Sequence, residues 1–286
     1  MATLTLDQMR DGEIYDSVDG GFFRYATRGD WDNPHYEKLL EANVSLLSIY
    51  LDAHHLTGLT TYQATAEGIL EYLFLTLSVP EQPWFYGSQS AAADYYTLPE
   101  EMRIDAEAPP LDRTIYVDRN AVAVSALLKA AYILKEPHFQ EKAFTLFDFL
   151  WTRFYRPGEG MYHFDDGVLS LPGYLSDQVC TLMALMDIYE AGGKNQYLEL
   201  AESLVQTMVR HLLDGGGGGY RDLPDNVGAG MIPRIEVKPF AENALAAMAM
   251  TRLFHLTDSD GYRERAEQIL AYLSTVRGRS VVAQLP

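Results

Sequence analysis

Hydrophobic positions along this chain recur in four blocks that share one spacing. With Asn43, Asn120, Gln178 and Asn243 as anchors, an aromatic follows each nineteen residues later: Tyr62, Phe139, Tyr197 and Tyr262. Four residues on stand Ala66, Ala143, Ala201 and Ala266, then Ile69, Leu146, Leu204 and Ile269, then Leu73, Leu150, Met208 and Leu273. Steps of four, three and four trace one face of an α-helix, with Glu, Lys and Arg on the other side, so the second half of each block reads as an amphipathic helix. The first halves, such as NVSLLSIYLDAHHL and NALAAMAMTRLFHL, are apolar nearly all round, as in helices buried on several sides. Between the halves lie TGLTT, KEP, GGKN and TDSDG, residues that stop one helix and cap the next.

Each block is therefore a helical hairpin with a buried inner helix and an amphipathic outer one, at residues 34–78, 118–155, 174–213 and 240–277. Such hairpins must stack side by side to bury their inner helices. The anchors stand 58 to 77 residues apart, well beyond the roughly 34 to 47 of ordinary helical solenoids. The excess falls each time in the connection from outer helix back to inner helix, at residues 78–117, 155–173 and 214–239. These loops are rich in Gly, Tyr, Asp and Pro, and function concentrates on long loops held by a rigid scaffold. The fold class expected is all-α, an α/α toroid in one domain over residues 1–286, with the inner-helix starts at its functional end. Four complete hairpins and a leading fragment at residues 2–10 fall short of the six of a common closed ring. Either the ring is open, or residues before Met1 complete it, or a partner chain does.

Composition narrows the partners. Acids outnumber bases 40 to 22, giving a formal net charge of −18, which argues against nucleic acid and an anionic membrane surface. No basic region precedes an apolar run at the N-terminus and no apolar stretch is long enough to cross a bilayer, so a cytoplasmic location is expected. Cys180 is the only cysteine, which excludes a disulfide framework and a thiolate metal cage. Neither metal nor cofactor is expected: the DSDG at residues 258–261 has no closing glutamate of a calcium loop, and the five glycines at residues 215–219 lack the Lys and Ser or Thr of a phosphate loop.

The candidate catalytic groups lie near the inner-helix starts: His35, Glu37, Asp118, Asp177 and Glu242. A pair of these carboxylates could act as general acid and base if their environments separate their pKa values. Acids in a first turn also complement the helix dipole, and Asp177 and Glu242 sit where that effect operates. His35 follows Pro34, which suits the first position of a helix, and there His35 and Glu37, two apart, would not share a face. Arg24, Tyr25, Trp31, Trp84, Gln89, Tyr116, Asn120 and Asn243 are the candidate ligand-binding residues. Sugar rings stack on aromatic faces, and amides and guanidinium groups bond hydroxyls. The same aromatics also suit loops that pack on themselves.

The run GGFFRY at residues 20–25, then Trp31, then PHYEKLL at residues 34–40, resembles the thioredoxin-domain protein family that includes the spermatogenesis-associated members of animals. The segments MRDGEIYD, SDQVCTLMALMDIYEAGG and KPFAENALAAMAMTRLFHL are similar to further elements of its helical part. The resemblance lacks the family's thioredoxin domain and one following hairpin, and where members carry S-x-Q-D-A-D this chain has SQSAAAD at residues 88–94. It implies a toroid similar to those of sugar epimerases, isomerases and glycoside hydrolases, and a carbohydrate-type ligand. Two functions fit: a sugar isomerase, epimerase or glycoside hydrolase, or a non-catalytic helical interaction module detached from a thioredoxin-fused protein.

Overall fold

The structure is a computed structural model that describes residues 2–224 and 237–282, with side chains to residue 275. Its contacts divide it into two compact units, one running to Phe149 and the other from Leu150 on. The first holds α1 (Ala2–Asp11), the hairpin α2 (Leu40–Thr57) and α3 (Thr60–Leu75), the short α4 (Ala93–Tyr96) and α5 (Glu100–Arg103), α6 (Val117–Leu134) and most of α7 (Pro137–Phe154). The second holds the hairpins α8 (Leu175–Gly192) with α9 (Gln196–His211) and α10 (Phe240–Thr257) with α11 (Asp260–Val282). The four hairpins span residues 40–75, 117–154, 175–211 and 240–282. Each inner helix ends in a left-handed residue, Gly58, Lys135, Gly193 or Asp258, which turns the chain into its outer helix. No helix among the described residues is long and apolar enough to cross a membrane.

Short strands, absent from the sequence reading, shape the long connections. In the first unit β1 (Tyr25–Ala26) pairs antiparallel with β2 (Pro34–His35), and β3 (Lys38–Leu39), β4 (Ser88–Gln89) and β5 (Leu111–Asp112) form a second small sheet ahead of β6 (Ile115–Tyr116). In the second unit β8 (Gly160–Asp165) pairs with β7 (Tyr155–Arg156) and with β9 (Leu169–Pro172).

The four anchor amides hold these connections to the helices. Asn43 accepts the Phe22 N–H at 2.7 Å and donates to the Phe22 carbonyl at 3.0 Å and to the Leu39 carbonyl at 2.9 Å. Asn120 does the same for Phe85 and Tyr116, Gln178 for Met161 and Tyr174, and Asn243 for Tyr220 and Pro239. One amide thus satisfies both polar groups of a buried loop residue and ties that residue to a carbonyl at the helix start. Close approach makes glycine necessary beside the clamp. Gly20 has φ +72° and a Cβ there would run into the backbone carbonyl of Gly68, so Gly20→Ala is expected to lower stability by roughly 1–3 kcal/mol or more, read from urea unfolding.

A buried ion knot reinforces the first clamp. Lys38 is fully buried and donates to Asp16 Oδ2 and to the Gly20 carbonyl, both at 2.7 Å, while its ammonium faces the rings of Phe23, Tyr72 and Tyr96. Arg103 donates to both Asp16 oxygens and to Asp19 Oδ2, each at 2.9 Å. Burial opposes ionisation of Asp16, but Lys38 and Arg103 overcome it and hold the carboxyl below its usual value. Burial likewise lowers Lys38 to about 8 against the pull of Asp16. The unfolded chain, with an ordinary lysine, therefore holds this proton more tightly. The stability due to this titration is absent below pH 8, climbs as pH rises toward 10.5 and is complete above it. Urea midpoints at about pH 7.5 and about pH 9.5 test this: the climb belongs to the wild type and is lost in Lys38→Met.

The second unit repeats the arrangement. Lys238 bonds Asp214 and the Gly218 carbonyl and lies 4.8 Å from the centre of the Tyr272 ring, beside the Asn243 clamp. Asp16 and Gly20 are matched by Asp214 and Gly218 at an offset of 198, and Lys38, Asn43 and Tyr72 by Lys238, Asn243 and Tyr272 at an offset of 200.

Candidate functional site

In the second unit, β8 runs past the start of α8 and brings His163 to Asp177. The imidazole Nδ1 donates to Asp177 Oδ1 at 2.9 Å, and the carboxylate, in the first turn of α8, is fully buried. Tyr174, the residue before α8, stacks on the imidazole with centroids 5.0 Å apart and planes 26° apart. His163 keeps 22% of its side-chain surface exposed. With the proton held on Nδ1 by the carboxylate, the basic lone pair falls on Nε2, so the pair is arranged as a general base whose cationic form the carboxylate stabilises. Strand alternation aims Asp165 to the same side of β8 as His163, and Asp165 accepts a hydrogen bond from Arg153 at 2.6 Å. The Arg153 bond outweighs the desolvation of Asp165 and holds its carboxyl below the usual range.

His163 is not among the residues that the sequence singles out. The signal available was the alternation in GMYHFDDG, a strand bounded by glycines just ahead of an inner helix. Of the proposed acids, Glu242 lies half-buried in the first turn of α10, which packs against α8, and Asp118 lies half-buried in the first turn of α6, where its Oδ1 accepts the Arg119 N–H at 2.8 Å.

In the first unit, Arg24, Tyr25, His35 and Glu37 gather on the β1–β2 pair. Arg24 donates to Glu37 Oε2 at 2.8 Å, and His35 Nδ1 lies 3.9 Å from the same oxygen. Tyr25 and His35, cross-strand partners, stack at 5.1 Å. Here the expectation of a helix beginning at Pro34 is corrected: α2 starts at Leu40, and the extended chain before it puts His35 and Glu37, two apart, on one side. Trp31 sits in the β1–β2 turn with φ +68°, its Cβ and carbonyl against Gly12.

The remaining ligand candidates are drawn into packing. Trp84 stacks on Phe149 at 4.4 Å, Gln89 is buried in β4 and bonds the Pro109 carbonyl, and Tyr116 carries the Arg119 guanidinium 4.0 Å above its ring. Asn120 and Asn243 are fully buried with both amide N–H bonds committed to the backbone clamps, so neither has a donor to offer a hydroxyl.

No family model matches the chain. Its sequence is 33% identical to spermatogenesis-associated protein 20 of Mus musculus over 137 residues, which are 48% of this chain and 15% of that protein. It is 40% identical to the protein of the same name in Homo sapiens over 91 residues, 32% of this chain and 12% of that protein. The match thus spans less than a sixth of these relatives. Among solved structures, a sugar epimerase from a ruminal bacterium superposes with TM-score 0.72 at 14% identity, covering 94% of this chain and 67% of that one. A D-mannose isomerase superposes at 0.69 and 16% identity, covering 94% and 69%. A family 76 glycoside hydrolase (mannosidase) from Bacteroides thetaiotaomicron superposes at 0.71 and 14% identity, covering 95% and 70%. At these identities the likeness is one of fold. The chain has the α/α toroid fold found in sugar epimerases and glycoside hydrolases, and over part of its length its sequence is similar to spermatogenesis-associated protein 20.

Proposed function

We propose that this chain is a carbohydrate-processing protein that moves a proton on a reducing sugar, as an isomerase or epimerase, with His163 as the base. The observation that carries this reading is the 2.9 Å bond from His163 Nδ1 to the fully buried Asp177. Glycoside hydrolysis needs two carboxylates flanking the scissile bond, one protonating the leaving oxygen and one attacking or activating water. Asp177 is instead engaged with an imidazole, which is the arrangement for proton transfer. In the step proposed, Nε2 takes the proton from the carbon beside the sugar carbonyl, the C–H electrons move onto the carbonyl as an enediolate, and the imidazolium rests against Asp177. Return of the proton to the former carbonyl carbon, with the hydroxyl proton passing from the oxygen of the deprotonated carbon to the former carbonyl oxygen, isomerises the sugar; return to the same carbon from the other face, which needs a second group, epimerises it. Glu242, at the start of the helix that packs against α8, is the proposed second group.

The test is proton NMR of the purified chain with aldohexoses, ketohexoses and reducing disaccharides. Appearance of a ketose or a C2 epimer, abolished in His163→Gln, is expected. Release of monosaccharides from disaccharides, or turnover unchanged in His163→Gln, would overturn the reading, and saturable binding without turnover would point to a non-catalytic module.

A further inference from the structure

The first unit carries a groove that the proton-transfer site does not use. Two cavities, of about 590 Å³ and about 690 Å³, lie between α3 and α7 and share Phe74, His138 and Lys142. Phe74, half-buried, makes ring contacts with the buried Phe85 at 5.2 Å on one side and Phe139 at 6.0 Å on the other, which hold it at the junction of the two cavities. Along α3 the lining residues are Glu67, Leu70, Glu71, Phe74 and Leu75, continued by Ser78 just beyond the helix. Steps of three and four form a continuous stripe, and the nine helical residues from Glu67 to Leu75 extend roughly 13 Å, about two and a half turns.

The rim is strongly one-signed. Glu67, Glu71, Glu81, Glu136 and Glu141 face the groove against a single ammonium, Lys142, which lies 4.7 Å above the centre of the Phe74 ring and makes no ion pair among the described residues. Leu75, at the groove wall, is 82% exposed. An apolar floor of Phe74, Leu75 and Val79 between acidic rims is complementary in shape to the apolar stripe of an amphipathic helix and in charge to lysines and arginines flanking that stripe. A single sugar ring is too short to span both cavities, and acidic or neutral segments gain nothing from five carboxylates.

We infer that the groove between α3 and α7 docks a basic amphipathic helix of a partner protein, with apolar residues at i, i+3, i+4 and i+7 over Phe74, Leu75 and Val79 and its cations toward the glutamates. The occupant displaces the Lys142 stem from Phe74, so Lys142 opposes binding.

The experiment titrates the full chain with a synthetic peptide bearing leucines at those positions and lysines between, followed by fluorescence anisotropy. A scrambled peptide of the same composition serves as control, and thermal melts confirm that each variant is folded. Saturable binding that weakens by roughly tenfold in Glu67→Gln/Glu71→Gln/Glu141→Gln, weakens with salt and tightens in Lys142→Ala is expected. No saturable binding, equal binding of the scrambled peptide, or binding indifferent to the glutamate substitutions would overturn the inference. These exposed glutamates have no part in the His163 chemistry, so the outcome is independent of the sugar reaction.

Discussion

In Asp177→Asn, proton transfer by His163 is expected to slow by about 10²–10⁴-fold in kcat, with KM little changed. The carboxylate accepts the Nδ1 proton at 2.9 Å and thereby keeps the lone pair on Nε2. An asparagine amide can rotate to donate to Nδ1, which moves the proton to the other nitrogen, and it carries no charge to balance the imidazolium. Tyr174, stacked at 5.0 Å, holds the ring plane in either case, so the fault lies in the tautomer and the charge rather than in position. Steady-state kinetics on the sugar that the wild type converts, with thermal melts of both proteins, check this. An unaltered kcat in a folded variant would remove Asp177 from the reaction.

The largest expected loss of stability comes from Asp16→Ala. This carboxylate balances both Lys38, which is fully buried, and Arg103, which is 7% exposed. Breaking a buried pair by removing one partner costs about 3–5 kcal/mol, because the remaining charge keeps its desolvation cost and loses its compensation. Here Lys38 loses its carboxylate partner while Arg103 keeps Asp19, so unfolding in urea is expected to show a loss within that range, about 3–5 kcal/mol. Converting the pair to apolar groups removes the stranded ammonium, so Asp16→Leu/Lys38→Met is expected to recover part of the loss. A double-mutant cycle in which the two substitutions simply add would show that the pair is not coupled.

The helices were legible from the sequence because burial imposes a period. The four-three-four steps from Tyr62, Phe139, Tyr197 and Tyr262 place every outer helix, and the breakers before them place the turns. The anchors Asn43, Asn120, Gln178 and Asn243 were equally visible, but their task was not. Each clamps a residue between 17 and 35 positions earlier, and a backbone partner leaves no side-chain pattern to read. The two-residue strands are too short to show an alternation. Pro34 has the right φ for a first helical turn, yet the chain stays extended to Leu39 because β2 and β3 are paired. That extension, not a helix face, is what brings His35 and Glu37 together. His163 went unread because a strand of six residues in a glycine-bounded loop resembles loop packing until α8 is seen to present Asp177 to it.

Two levels of repetition are superposed in this chain. Among the described residues the amide clamp occurs four times, whereas the lysine, aspartate and tyrosine around it occur only in the first and last hairpins, at offsets of 198 and 200. At the equivalent place before Gln178 the loop carries β8 and His163 instead. The scaffold element is thus repeated, and the proposed chemistry occupies a repeat without the ion knot.

Solvent exchange tests the acid–base reading most directly. With the purified chain and its sugar in deuterium oxide, His163 acting as base carries solvent deuterium to the carbon beside the carbonyl. Deuterium at that carbon in the recovered sugar, seen with the wild type and absent with His163→Gln, is the result expected. Conversion of the sugar with no deuterium incorporated, or equal incorporation by the variant, would contradict it.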